Sequence, residues 1–148
     1  MEKKPIKLWI LGGFLGSGKT TLLNRLLEQM KEHKTGVVVN DFGDLGIDSS
    51  LIEGENDEEV IELNGGQIFC SCLSGSFVQS IEDLARHDLD AILVESSGLA
   101  KPSALKTIVE QAQTASGGRI AYKGLVVLVD AERFEALLEV VNAVEEQI

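Results

Sequence analysis

The chain alternates short apolar runs with longer segments in which apolar residues recur every three or four positions. Short apolar runs are typical of buried strands, and the longer spacing is typical of helices that bury one face. The predicted strands cover 6–11, 36–40, 59–63, 91–95 and 124–130, and the predicted helices cover 19–33, 76–87, 102–113 and 131 onward. This alternation predicts an α/β fold with a doubly wound, mainly parallel sheet and helices on both faces.

The segments between these elements are predicted loops, and three of them concern function. Residues 41–57 are polar and contain glycines, which predicts a mobile loop. Residues 64–74 are predicted to form a loop that contains both cysteines. Residues 96–101 lead into a helix whose first turn suits Pro102. The last helix is expected to bury Phe134, Leu137, Leu138 and Val141.

Length and composition set limits on what this chain does. Its 148 residues are 44% hydrophobic and contain no linker or repeat, which predicts a single domain over 1–148. The formal net charge of −11 argues against general nucleic-acid binding, because the chain would repel the phosphate backbone. No apolar run is long enough to cross a membrane. Two cysteines one residue apart favour metal ligation or redox chemistry in a reducing compartment, so we expect a cytoplasmic protein.

A glycine-rich motif follows the first predicted strand. The residues from Gly13 to Thr20 read G-F-L-G-S-G-K-T and fit G-x-x-x-x-G-K-[ST], between a strand and a helix as that motif requires. Glycines let successive N–H groups point into one concavity, and the helix N-terminus adds partial positive charge. Lys19 would reach the β- and γ-phosphates, and the Thr20 hydroxyl would bind Mg²⁺. The predicted nucleotide-binding residues are Gly13, Gly16, Ser17, Gly18, Lys19, Thr20, Thr21 and Gly98.

Acidic residues follow two other predicted strands and are candidates for holding magnesium. Glu95 ends the run A-I-L-V-E, so its carboxylate should lie at the carboxyl edge of a central strand, where open α/β sheets bind ligands. Gly98 follows shortly and could donate its N–H to a γ-phosphate. The segment 40–48 is a candidate switch that a nucleotide would order, and a solvated acidic loop is the alternative. Its three carboxylates are Asp41, Asp44 and Asp48.

Asp130 follows the last predicted strand and has two interpretations. Its carboxylate could face the same edge as Glu95, or it could cap the helix that follows. No arginine occupies an obvious position in the sequence from which it would reach a transferred phosphate. This predicts slow intrinsic hydrolysis.

Five segments in fixed order carry a family resemblance. They are GGFLGSGKTTLLN, VVVNDFGDLGID, a cysteine loop, AILVESSGLAKP and LVVLVDAERF. The chain resembles the CobW-type family of P-loop GTPases, which are relatives of UreG and HypB. The resemblance implies a P-loop NTPase fold, truncated before its last strand or strands, and a GTP hydrolase that delivers metal or serves cobalamin-enzyme assembly. It further implies GTP, Mg²⁺ and Zn²⁺ or Co²⁺ as ligands and a metalloprotein or corrinoid-enzyme client, and it leaves homodimer formation open.

The resemblance also assigns roles to individual residues. Lys19, Glu95 and Asp41 would be catalytic, and Thr20, Asp41 and Glu95 would hold Mg²⁺. Asp41 stands where the family usually has Glu in an N-E-F-G segment. Cys70, Cys72 and Asp44 would contribute to a zinc or cobalt site.

Two departures from the family pattern limit these inferences. The family metal motif is C-x-C-C, but Leu73 replaces the third cysteine here, and two thiolates leave a tetrahedral site short of two ligands. Acidic residues, a second subunit or a client could supply them, and structural cysteines are the alternative. The guanine motif N-K-x-D is absent from the 148 residues, so GTP over ATP follows from the resemblance alone. The simplest account is the amino-terminal part of a longer protein.

Two other functions stay open at this point. One is an ATP-using P-loop enzyme that shares the glycine loop. The other is a nucleotide-binding adaptor for corrinoid-protein or metalloprotein maintenance that delivers no metal itself.

Overall fold

The computed structural model describes residues 4–39, 60–63, 67–71, 77–140 and 142–145. In chain order the elements are β1 (Ile6–Gly13), α1 (Lys19–Gln29), β2 (Thr35–Val39), β3 (Val60–Leu63), β4 (Gln67–Ser71), α2 (Phe77–Arg86), β5 (Ala91–Glu95), α3 (Pro102–Ala115), β6 (Ile120–Leu128), α4 (Phe134–Val140) and α5 (Asn142–Glu145). None of the described helices is long and apolar enough to cross a bilayer.

The strands form one six-stranded sheet in the order β3-β4-β2-β5-β1-β6. All neighbouring pairs are parallel except β3 and β4, which are antiparallel. Glu95 in β5 pairs with Leu11 in β1 and with Val39 in β2. The carboxyl ends of the central strands therefore meet at one edge, which is where β1 runs into the glycine loop. This architecture confirms the predicted mainly parallel α/β fold.

The two central strands β2 and β5 are buried along their whole length. Alternate residues of β5 face opposite sides, because Ile92 and Val94 join one core cluster and Leu93 joins the other. The larger cluster packs α2 and α3 on one face, and the smaller cluster packs α1 on the other. Continuous apolar strands thus bury both faces, which confirms helices on both sides of the sheet.

The predicted loop over 64–74 is wrong for residues 67–71, which form strand β4. The run Q-I-F-C-S is too short and too mixed to signal a strand by its own pattern. Strand β4 exists because it pairs with two neighbours, and Cys70 is in register with Val38 of β2 and Val60 of β3. Its pairing with β2, which is distant in the sequence, therefore decides this element.

The last predicted strand is shifted. Strand β6 begins at Ile120 and ends at Leu128, whereas the pattern predicted 124–130. Its pairing with β1 is irregular beside Trp9, which pairs with Gly124, and the positive φ of 143° at Gly124 suits glycine.

Among the helices, α1 ends before the predicted residue 33, and α4 begins after the predicted residue 131. Leu138 was expected to be buried but is 36% exposed. The predicted loop at 41–57 and the inward position of Val141 lie outside the described residues.

Candidate functional site

The loop between β1 and α1 is shaped by glycines with positive φ. Gly13, Gly16 and Gly18 have φ values of 133°, 74° and 96°. A Cβ atom at Gly13 would lie 2.3 Å from the carbonyl oxygen of Leu128 and 2.7 Å from Oγ of Ser17. Both the backbone conformation and the close contact with β6 therefore require glycine at position 13. The loop is held against β6 at this point.

Lys19 is the first residue of α1, and its side chain turns back over the loop. Its Nζ donates a hydrogen bond to the carbonyl oxygen of Phe14 at 3.1 Å, and the residue is 7% exposed. Burial lowers the pKa of the Lys19 ammonium, and the negative charge of Glu95 opposes that shift. Among the described residues, this partly desolvated cation has a hydrogen bond only to a carbonyl, so it is well placed to exchange that partner for an anion.

Thr20 and Glu95 meet beneath the loop, although they come from α1 and β5. Thr20 Oγ1 donates a hydrogen bond to Oε1 of Glu95 at 2.7 Å. Glu95 is 7% exposed, and its other oxygen, Oε2, is buried with no hydrogen-bond partner in the described part of the chain. A buried carboxylate oxygen without a donor is costly unless a cation or water meets it. An oxygen-ligated ion such as Mg²⁺ fits this hydroxyl and carboxylate pair.

The segment after β5 contacts both strand β1 and the glycine loop. Both the N–H and the hydroxyl of Ser96 donate to the carbonyl oxygen of Leu11, at 3.0 and 3.1 Å. A Cβ atom at Gly98 would lie 2.8 Å from the backbone nitrogen of Leu15. Gly98 therefore packs directly against the glycine loop.

On the β6 side, Asp130 caps the turn that precedes α4. Its Oδ1 accepts the N–H groups of Glu132 and Arg133 at 3.2 and 3.4 Å. Its Oδ2 accepts from Nε of Arg133 at 2.6 Å, and this hydrogen bond lowers the pKa of Asp130. These contacts support the capping interpretation over a role beside Glu95.

Arg133 lies at the loop, and sequence reasoning missed it. A Cβ atom at Gly16 would lie 3.1 Å from Nη2 of Arg133, so the guanidinium sits against the loop backbone. A signal was present in the sequence, since Asp130 and Arg133 have the three-residue spacing of a helix-turn pair just after a predicted strand. That spacing predicts the ion pair, but it does not predict the approach to Gly16.

The structure thus brings together the glycine loop, Lys19, Thr20, Glu95 and Gly98. Thr21 lies on α1 and is exposed. Asp41, Asp44, Asp48 and Cys72 lie outside the described residues, and of Cys70 the backbone position in β4 is described. Within the described ranges, no three His, Cys, Asp or Glu side chains form a group that could hold a metal ion.

The backbone register relates Cys70 to the site. Cys70 pairs with Val38, which pairs with Val94, the residue before Glu95. The backbone of Cys70 therefore lies near the same sheet edge as Glu95. Two strand spacings, about 10 Å, separate β4 from β5.

Comparison with known proteins gives a consistent family match. A family model described as "CobW/HypB/UreG, nucleotide-binding domain" matches residues 7–148. The "Zinc chaperone CobW" of Pseudomonas aeruginosa is 43% identical over 114 residues, which cover 71% of this chain and 30% of that protein. The "Zinc-regulated GTPase metalloprotein activator 1" of Saccharomyces cerevisiae is 33% identical over 149 residues, covering 93% of this chain and 33% of that protein.

A solved structure shares the fold. The Zn(II)-bound YjiA GTPase from Escherichia coli superposes with a TM-score of 0.75 at 25% identity, covering 97% of this chain and 46% of that one. The chain therefore spans about a third of the two curated relatives described above and less than half of the solved structure.

Proposed function

The chain belongs to the CobW/HypB/UreG family, and we propose that it is the nucleotide-binding part of a GTP hydrolase that acts as a metallochaperone or in cofactor assembly. The observation that carries the nucleotide assignment is the 2.7 Å hydrogen bond between Thr20 and Glu95 beneath the glycine loop. It joins the two side chains that a magnesium-nucleotide complex requires. We further propose that residues 1–148 form a single domain and that the protein works in the cytoplasm.

The loop and Lys19 are proposed to hold the nucleotide phosphates. Backbone N–H groups of the loop from Gly13 to Gly18 would surround the α- and β-phosphates, with Ser17 and Thr21 contributing their N–H groups. The Lys19 ammonium would leave the Phe14 carbonyl and bind β- and γ-phosphate oxygens. Its burial supports this exchange, because a desolvated cation gains more from a phosphate than from a neutral carbonyl.

Thr20 and Glu95 are proposed to hold Mg²⁺. Oε2 of Glu95 has no hydrogen-bond partner among the residues that the structure describes, which supports this, since a cation would satisfy it. When bound there, Mg²⁺ would neutralise charge that develops on the β- and γ-phosphates. Glu95, or Asp41 as predicted from the sequence, would orient the water that attacks the γ-phosphate in line. The N–H of Gly98 would contact the γ-phosphate, which the packing of Gly98 on the loop supports.

A transition-metal site is proposed at Cys70, Cys72 and Asp44, with Zn²⁺ or Co²⁺ as cargo. The printed names of the relatives, which include zinc chaperones, support zinc. The register that brings the backbone of Cys70 near the edge occupied by Glu95 supports coupling between nucleotide state and metal release. The client would be a metalloprotein or a corrinoid enzyme. A homodimer would complete the ligand set if no other residue does.

Competition binding with the complete protein tests the nucleotide assignment. A fluorescent GTP analogue is displaced by GTP or by ATP in Mg²⁺ buffer, and we expect GTP to compete at least tenfold better. Lys19→Ala should abolish binding of both, while Lys106→Ala on the exposed face of α3 should change neither. A tenfold preference for ATP would instead favour an ATP-using enzyme.

Metal titration tests the second part of the proposal. We expect Zn²⁺ or Co²⁺ affinity to fall when Cys70 and Cys72 are both replaced by Ala, and to differ between GDP and a non-hydrolysable GTP analogue. Unchanged affinity in the double variant would exclude the metal site and leave the adaptor function.

A further inference from the structure

Arg133 is a cation at the glycine loop to which the proposed function gives no role. Its Nη2 lies 3.1 Å from the position that a Cβ atom at Gly16 would take. Because Gly16 has no side chain, the guanidinium approaches the loop backbone directly. The side chain is still 59% exposed, so a ligand bound at the loop could reach it.

The position of Arg133 is fixed by several contacts. Its Nε and Nη2 both lie 2.6 Å from Oδ2 of Asp130. Its backbone N–H donates to the carbonyl oxygen of Asp130, and its own carbonyl oxygen accepts from the N–H of Leu137 at 2.9 Å. Asp130 is itself fixed, because its Oδ1 accepts backbone N–H groups. The guanidinium is therefore held in place before any ligand arrives, which reduces the entropy lost on binding.

The chemistry of this group matches a phosphate. A guanidinium has five N–H donors in a planar fork, and phosphate oxygens accept them in pairs. In the part of the chain that the structure describes, Nη1 has no hydrogen-bond partner, so donors remain for a ligand. Asp130 carries one negative charge, whereas a nucleotide phosphate chain carries several, so attraction to the ligand persists beside the ion pair.

We propose that Arg133 binds the α- and β-phosphates of the nucleotide from the Gly16 side of the loop. This inference rests on the proposed nucleotide function. The amides of such a loop surround the α- and β-phosphates, and Arg133 lies beside Gly16, which belongs to that loop. Arg133 therefore strengthens the binding of GTP and of GDP, and Asp130 is its positioning residue.

The test compares Arg133→Gln with a matched control in the complete protein. Arg86→Gln removes an arginine that is 74% exposed and pairs at 3.3 Å with Asp83, three residues earlier, on α2. Fluorescent GTP and GDP analogues are titrated into each variant in Mg²⁺ buffer. We expect Arg133→Gln to raise Kd about tenfold for both nucleotides, since a charged hydrogen bond is lost. Arg133→Lys should recover part of the loss, and Arg86→Gln should bind like the wild type.

Each other outcome overturns the inference. If Arg133→Gln lowers the melting temperature but leaves both Kd values unchanged, Arg133 serves the Asp130 turn alone. If affinity falls for GTP and not for GDP, the contact is to the γ-phosphate and the assignment to the α- and β-phosphates is wrong. Lys19→Ala separates this from the proposed function: if it too leaves nucleotide affinity unchanged, the phosphate-loop assignment itself fails.

Discussion

The two sides of the glycine loop use a carboxylate in opposite ways. On the β5 side, Glu95 is buried, accepts one hydrogen bond from Thr20, and has an oxygen without a partner in the described structure. On the β6 side, Asp130 accepts two amide N–H groups through one oxygen and a guanidinium through the other. The two acids therefore differ in how fully their oxygens are satisfied.

Because of this difference, one loop can attract both a cation and an anion. A buried carboxylate with one oxygen that lacks a hydrogen-bond donor favours a positive ligand, because a buried polar atom without a partner is costly. A carboxylate whose oxygens are engaged instead holds its own cation, here Arg133, where a negative ligand can meet it. The β5 side is thus suited to magnesium and the β6 side to phosphate.

The largest expected effect is on hydrolysis, from Glu95→Gln. The amide preserves the shape of the side chain and can still accept from Thr20, but it removes the charge that would hold the cation. We expect magnesium-dependent GTP hydrolysis by the complete protein to fall about a thousandfold, measured as phosphate release. Glu110→Gln on the exposed face of α3 is the control and should hydrolyse normally. If Glu95→Gln hydrolyses GTP at the wild-type rate, the proposed difference in role between Glu95 and Asp130 is wrong.

Gly13→Ala tests the attachment of the loop to the β6 side. The added Cβ would lie 2.3 Å from the Leu128 carbonyl oxygen at a φ of +133°, so we expect a loss of about 3 kcal/mol in the free energy of unfolding. Gly117→Ala also has positive φ but nothing within 4 Å, so about 1 kcal/mol is expected. Urea unfolding measures both. If the two variants lose equal amounts of unfolding free energy, backbone conformation alone explains why position 13 requires glycine.

Thr20→Val tests the buried pair on the β5 side. Valine has nearly the shape of threonine but leaves both oxygens of Glu95 without a donor, so without nucleotide we expect about 2 kcal/mol of destabilisation. Thr20→Ser keeps the hydroxyl and should lose much less. Thr107→Val, whose hydroxyl bonds to a carbonyl on the exposed face of α3, should change stability by less than about 0.5 kcal/mol. If Thr20→Val and Thr107→Val lose the same stability in thermal unfolding, the buried hydrogen bond between Thr20 and Glu95 contributes no more than an exposed one.

The smallest effect is expected for Asp130→Asn, and it should depend on pH. The hydrogen bond from Arg133 lowers the pKa of Asp130 in the folded protein relative to its ordinary value of 3.8. The carboxylate therefore stabilises the fold above that value, and the contribution is lost as the pH falls through the lower, folded pKa. The stability difference between wild type and Asp130→Asn should be present at pH 7, shrink below pH 3.8 and weaken with salt. A difference that persists unchanged in acid would point to capping geometry, not charge.

The glycine loop and the central strands could be predicted from local patterns in the amino-acid sequence. The spacing of Gly13, Gly18, Lys19 and Thr20 is a local pattern, and Gly13 and Gly18 both have the positive φ that glycine permits. The apolar runs of β2 and β5 are buried over their full length. Each run therefore predicts a buried strand, whichever strand pairs with it. Because Glu95 ends one of these parallel strands, its place at the carboxyl edge followed from strand direction.

Three features depend on contacts between elements and could not be predicted from local patterns: strand β4, the exposure of Leu138 and the approach of Arg133 to Gly16. Strand β4 depends on its ladder with β2, and residues distant in the sequence supply those hydrogen bonds. Arg133 reaches the loop because β6 lies beside β1. The residue spacing within 128–134 cannot predict which strand becomes the neighbour of β6. Periodicity reports which residues prefer burial, whereas the contacts that form depend on which elements become neighbours.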